Sequence, residues 1–241
     1  MDNKPTALFL FNHSLYALKP WLDSGRFNVV TIDFDATDHS GFHSISCDPE
    51  NLSTHLRLNI DLSLPAAKEA VEANIAGEGL APPSFCLSFA PCTDLAVSGA
   101  AHFERKRQVD PEFQTKAAKL ARLASEFGCA YAVENPVSVL ATLWKKPDMY
   151  WNPCDFAGYC PVGPHPEFPD IVPAQDRYNK KTCLWTGNGF ILPTFKHLPP
   201  VQKANPAHEK LGGKSARTKY IRSLTPRGFA RAVFEANAYS I

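Results

Sequence analysis

Phe27-Asn28-Val29-Val30-Thr31-Ile32-Asp33-Phe34 is the stretch on which the fold turns. Its β-branched and aromatic residues predict a buried strand, and the strand runs out into carboxylates at Asp33 and Asp35. Upstream, Ala7 to Phe11 is a second short apolar run. It is followed by the turn Asn12-His13-Ser14 and by Leu15, Ala17, Leu18, Trp21 and Leu22 at helical spacing. Strand, helix and strand in this order make a βαβ unit.

The same alternation continues downstream. Leu56 to Ile60 predicts a third strand ending at Asp61, and Pro65 to Ala76 a helix that stops near Gly77. Ser84 to Phe89 predicts a fourth strand that runs into Pro91-Cys92. Pro111 to Phe127 reads as a helix closed by Gly128, and Cys129 to Val133 as a strand ending at Glu134. Strands alternating with helices predict an α/β fold with an open, mostly parallel Rossmann-like sheet and helices on both faces. Ligands of such sheets sit at the carboxyl ends of the strands, so Asp33, Asp61, Cys92 and Glu134 are expected on one rim.

Beyond Lys145 the character changes. From Lys145 to Pro206 prolines are frequent and apolar periods few, with strands expected only at Thr182 to Thr186 and Gly189 to Leu192. This reads as an elaboration around the site. Lys196, Lys203, Lys210, Lys214, Arg217, Lys219 and Arg222 then accumulate against the single acid Glu209, which predicts a basic, mobile segment over 196–222. Thr225-Pro226 opens a terminal helix to Asn237 with Phe229, Val233 and Phe234 on its apolar face.

The chain has 241 residues, 44% of them hydrophobic, enough to bury the core of a single domain over 1–241. A polar start and an apolar run too short for a signal or a membrane span lead to an expectation of a cytoplasmic protein with no membrane partner. Seven cysteines are then better read as thiols than as a disulfide framework. A net charge of +1 gives no global attraction for a polyanion, which leaves local clusters such as the late basic run.

Two residues carry the chemistry. Pro91 cannot continue a ladder, so Cys92 is delivered on a loop at a strand end, and Glu134 leads Glu134-Asn135-Pro136 at the end of a later strand. A thiol can add to C6 of a pyrimidine while a carboxylic acid protonates N3 to favour that addition. Taken singly, Cys92 could be a buried small hydrophobe and Glu134 a structural acceptor. The pairing is what distinguishes them.

Phe89-Ala90-Pro91-Cys92 resembles the Pro-Cys loop of DNA cytosine-C5 methyltransferases, and Glu134-Asn135-Pro136 resembles their Glu-Asn-Val motif. Arg222-Ser223-Leu224-Thr225-Pro226-Arg227-Gly228-Phe229-Ala230-Arg231 is similar to their late Arg-x-Leu-Thr-x-Arg-Glu-x-Ala-Arg motif, with Gly228 where the family has glutamate. Gln175-Asp176-Arg177 corresponds to the Gln-x-Arg-x-Arg motif in one register and Lys180-Lys181 in another. These motifs fall in the family's order along nearly the whole chain.

The resemblance implies S-adenosyl-L-methionine as cofactor and DNA as partner. It implies Cys92, Glu134, Asn135, Arg177 and Lys181 as catalytic residues, with Arg177 or Lys181 supplying positive charge to the thiol. Phe11, Asn12, Ser14, Asp33, Asp35, Asp61 and Pro91 would hold the cofactor, although Asn12-His13-Ser14 stands where the family's turn is rich in glycine. Lys214, Arg217, Arg222, Thr225 and Arg227 would bind substrate. Only about 30 residues separate Leu192 from Arg222, too few for a base-reading domain. A free pyrimidine nucleotide as substrate, or a silent DNA-binding protein of the same descent, are the alternatives. Trp144, Tyr150, Trp151 and Tyr159 could stack a flipped base or simply pack a loop. Cys154, Cys160, His165 and Cys183 can be drawn as a zinc set, but the Cys154–Cys160 spacing is wider than usual, and no metal is expected.

Overall fold

The computed structural model describes residues 4–12, 14–34, 42–44, 54–204, 206–212 and 215–240. Asp35 and Lys214, named above, lie outside the described residues, as does His13 of the turn. Eight strands form one sheet: β1 (Thr6–Leu10), β2 (Asn28–Asp33), β3 (Phe42–Ser44), β4 (His55–Asn59), β5 (Pro83–Ser88), β6 (Ala130–Pro136), β7 (Met149–Trp151) and β8 (Thr182–Gly187). Their order is β3-β4-β2-β1-β5-β6-β8-β7. The five consecutive strands from β4 to β6 are parallel, while β3, β8 and β7 pair antiparallel to their neighbours. This is the α/β Rossmann-like sheet that the alternation predicts.

Among the described residues, eight α-helices accompany the sheet: α1 (Lys19–Asp23), α2 (Ala67–Gly77), α3 (Phe103–Val109), α4 (Phe113–Arg122), α5 (Leu140–Leu143), α6 (Pro206–Lys210), α7 (Ala216–Ser223) and α8 (Arg227–Asn237). Alternate residues of each strand feed opposite faces. Leu8, Leu10, Val30, Ile32 and Cys86 pack against α2 and α4, whereas Ala7, Phe9, Val29, Phe85 and Leu87 pack against α1 and α8. Trp21 of α1 anchors the second face, with its ring 4.4 Å from Phe85, 4.8 Å from Phe27 and 5.2 Å from Phe234. A smaller third cluster of Val172, Tyr178, Ala207, Ile221 and Leu224 lies under the late elaboration.

Some expected elements change. The helix expected over Pro111 to Phe127 is α4 followed by a 3-10 segment at Leu123–Phe127, closed by Gly128 at φ 72. No strand forms at Gly189 to Leu192. Asn188 and Gly189 take φ 52 and 85 and turn the chain out of β8, after which Asn237 replaces a ladder partner. Its side chain accepts from Ile191 N at 2.9 Å and donates to Ile191 O at 3.0 Å. The basic region carries α6 and α7, the latter capped by Ser215, whose hydroxyl accepts from Thr218 N.

Strand order fixes where a ligand belongs. From β1 the chain works outward through β2 and β4, then returns to place β5 on the other side of β1. That reversal opens a crevice beyond the carboxyl ends of β1 and β5.

Candidate active site

A cleft of about 590 Å³ lies at this switch point. Phe11 and Asn12 border it from the end of β1, Ala90, Pro91 and Cys92 from the end of β5, and Glu134 and Asn135 from β6. Lys180 and Thr182 enter from the start of β8, and Lys219, Arg222 and Thr225 from α7 and the link to α8.

The two loops at the centre are stitched together. Asn135 Nδ2 donates to Ala90 O at 2.9 Å, directly before the Pro-Cys pair. Val97 N donates to Val137 O at 3.1 Å, and Val139 N to Leu95 O at 3.0 Å. After Cys92 the chain turns back on itself, with Leu95 N and Ala96 N both donating to Cys92 O. Thr93-Asp94 is tied down by Lys106 of α3, which donates to Thr93 O and pairs with the Asp94 carboxylate at 2.5 Å. Both loops are therefore held before any ligand arrives.

Electrostatics couple the thiol to the acid. Burial pushes the Cys92 thiol up, the nearby Glu134 carboxylate raises it further, and Lys180 acts in the opposite sense. Burial likewise pushes the Glu134 carboxyl up, again opposed by Lys180. The Glu134 carboxylate thus opposes ionisation of the thiol, and Lys180 favours the charged form of both groups.

Four buried polar atoms of cleft-lining residues have no partner: Asn12 Nδ2, Asn135 Oδ1, Trp151 Nε1 and Arg222 Nε. Three donors and an acceptor left unmade are costly and suit a polar ligand. Phe11 takes φ 56, the left-handed conformation that glycine usually supplies. The β1 turn thus keeps a glycine-like backbone while the Phe11 side chain packs on the core.

Of the residues expected to hold a cofactor, Phe11, Asn12 and Pro91 line the cleft. Ser14 lies just behind, accepting from Thr225 N at 3.5 Å, with its own amide on Asn12 Oδ1. Asp33 ends β2, its carboxylate accepting from Phe34 N, and Asp61 caps the turn at Ser63. Neither lines the cleft.

No protein-family model matches the chain, and no curated protein matches it. The residues themselves therefore carry the functional reading.

Several expected site residues point elsewhere. Arg177 Nε donates to Pro199 O at 2.8 Å, and the Lys181 ammonium lies 5.2 Å from the centre of the Tyr150 ring. The cation beside Cys92 and Glu134 is Lys180 instead. Side chains alternate along an extended chain, so Lys180 shares the cleft side with Thr182 and Lys181 takes the opposite one. Two adjacent lysines before a strand gave no signal of which faces inward. Arg227 is bound up in a buried ion pair, its Nη2 2.9 Å from Asp176 Oδ1 with the partners 12% and 2% exposed. Asp176 also accepts from Arg227 N at 2.6 Å and so anchors the start of α8. Arg217 is exposed on α7, away from the cleft. Of the aromatics, Trp151 lines the cleft and stacks on Phe229 at 4.1 Å, Trp144 stacks on Tyr131 at 6.4 Å, and Tyr159 lies beneath Lys196 at 3.7 Å.

The drawn zinc set is not assembled. Cys160 lies 4.0 Å from Asp176, and His165 Nδ1 accepts from the amides of Glu167 and Phe168. Cys183 sits on β8, in the core cluster on the opposite face of the sheet from Leu184. The six described cysteines are all free thiols. Among the described residues no helix is long and apolar enough to cross a membrane.

Proposed function

We propose that the chain is a cytosine-C5 methyltransferase-like enzyme acting on DNA. The observation that carries the reading is the meeting of Cys92, Glu134 and Lys180 in one cleft at the switch point, with the thiol and carboxyl each raised by burial. Burial favours the protonated form of Glu134, which suits it to donate to N3 of a cytosine. The Cys92 thiolate, stabilised by Lys180, adds to C6, and the C5–C6 π pair becomes available at C5 as N3 takes the proton. Once C5 has accepted its new substituent, its own proton leaves to a base. The sulfur–C6 bond then breaks, regenerating the Cys92 thiolate and restoring the ring, and the N3 proton returns to Glu134.

S-adenosyl-L-methionine, when bound, supplies the electrophilic methyl group. The rim fits such a cofactor through the unpartnered Asn12 Nδ2, which can donate to its acceptor groups, and through the left-handed turn at Phe11. Arg222, with Nη2 on Leu211 O at 2.8 Å and an unpartnered Nε, and Lys219 give the opposite wall a positive charge suited to phosphate.

Incubation with duplex DNA and S-adenosyl-L-methionine, followed by digestion and mass spectrometry of the nucleosides, tests this reading. New 5-methylcytosine that disappears with Cys92→Ala and falls at least on the order of 100-fold with Glu134→Gln is expected. Modification of a pyrimidine nucleotide but not of DNA would transfer the reaction to the monomer. DNA binding without any thiol chemistry would contradict it.

A further inference from the structure

We infer that Cys154, Asp155 and His197 form a binding site for a divalent cation of the zinc class, separate from the cleft. None of the three lines that cleft, and the inference is independent of the reaction proposed there. Their ligand atoms lie within 4.8 Å of one another. Cys154 Sγ is 3.9 Å from Asp155 Oδ1, which is 3.0 Å from His197 Nδ1. In a tetrahedral site with ordinary zinc–nitrogen, zinc–oxygen and zinc–sulfur bonds, neighbouring ligand atoms stand about 3.3–3.7 Å apart. The two measured edges bracket that range, so small side-chain adjustments suffice to admit an ion.

The backbone explains why these residues meet. Lys196 N donates to Asp155 O and Leu198 N to Cys154 O, both at 3.0 Å, while Gly158 N donates to Lys196 O at 2.8 Å. This ladder sets His197 beside Cys154-Asp155. Gly158 permits it, because a Cβ there would lie 2.7 Å from Lys196 Cβ. On the other side Cys154 N donates to Tyr178 O, which brings Asn179 Oδ1 to 3.2 Å from Cys154 Sγ. Asn179 thus offers an oxygen for the fourth position, with water as the other occupant. One neutral imidazole, one thiolate and one carboxylate form a mixed set that favours zinc over magnesium or calcium. Cys154 is 2% exposed and His197 52%, so the ion would enter from the His197 side. Binding would release the thiol proton and fasten the segment around His197 to the 3-10 turn at Pro153–Tyr159.

Cobalt titration of the chelator-stripped, reduced full chain tests the inference. A thiolate-to-cobalt charge-transfer band together with the visible bands of tetrahedral Co²⁺, saturating at one ion per chain and displaced by Zn²⁺, is the expected result. His197→Ala should weaken binding on the order of 100-fold, Cys154→Ser should remove the charge-transfer band, and Cys92→Ser should leave both. His197 is half-exposed, so its variant decides the matter even if Cys154→Ser does not fold. Absence of a thiolate band, binding unchanged in His197→Ala, or a band lost only in Cys92→Ser would overturn the site.

Discussion

Glu134 opposes ionisation of the Cys92 thiol, and the titration of the thiol should report it. Burial and Glu134 raise Cys92 while Lys180 lowers it. Alkylation of Cys92 by iodoacetamide, followed by mass spectrometry across a range of pH, should therefore rise only at alkaline pH. Removing the negative neighbour in Glu134→Gln should shift the profile to lower pH, and removing the cation in Lys180→Ala should shift it higher. Profiles unmoved by either substitution would mean that the three groups do not act on one another. At this scale the sequence was legible for Cys92, Glu134 and Asn135, because a Pro-Cys pair and a Glu-Asn pair after apolar strands place side chains on one rim. It was not legible for Lys180, whose inward face depends on the phase of an extended segment, nor for Arg227. A buried Asp176 captures that guanidinium from a distant loop, a tertiary choice that spacing does not encode.

The elements were read best at β1, β2, β4, β5 and β6, whereas β3 and α3 were not anticipated, and worst in the elaboration. There, single side chains such as Asn237 substitute for ladder partners. Close approaches decide the rest. A Cβ at Gly228 would fall within van der Waals contact of the Phe156 carbonyl, whereas one at Gly77 would meet open space. The glutamate expected at position 228 by resemblance is excluded by this contact, because α8 packs its first turn directly on the backbone of the Pro153–Tyr159 segment. Gly228→Ala should destabilise the protein by about 1–3 kcal/mol. Gly77→Ala, at the end of α2, should stabilise it by about 0.5–1 kcal/mol. Urea midpoints of the two variants check both signs.

Two histidines tie the whole molecule to pH. His55, on Thr31 Oγ1 at 3.0 Å, and His165, beneath Tyr16, both lie below the ordinary histidine value of 6.5 because burial disfavours the charged ring. For His165, Asp176 and Glu167 oppose that shift and Arg227 reinforces it; for His55, Arg57 reinforces it. The folded state then binds fewer protons than the unfolded chain once pH falls below about 6.5, so stability present at neutral pH is lost as acid is added. Glu134, raised above its ordinary value, acts in the opposite sense, so the measurement belongs in Glu134→Gln. Urea midpoints there should decline from about pH 7 to about pH 5, and a flat profile would contradict the burial of neutral imidazoles. The proposed function has a thiol and an acid meet a pyrimidine in the cleft, and the most direct measurement of that claim is covalent capture. Incubation with 5-fluorocytosine DNA and S-adenosyl-L-methionine should yield a denaturation-resistant protein–DNA adduct whose mass maps to Cys92 and which Cys92→Ala fails to form. Folded protein that binds this DNA without forming an adduct, or an adduct that persists in Cys92→Ala, would contradict the account.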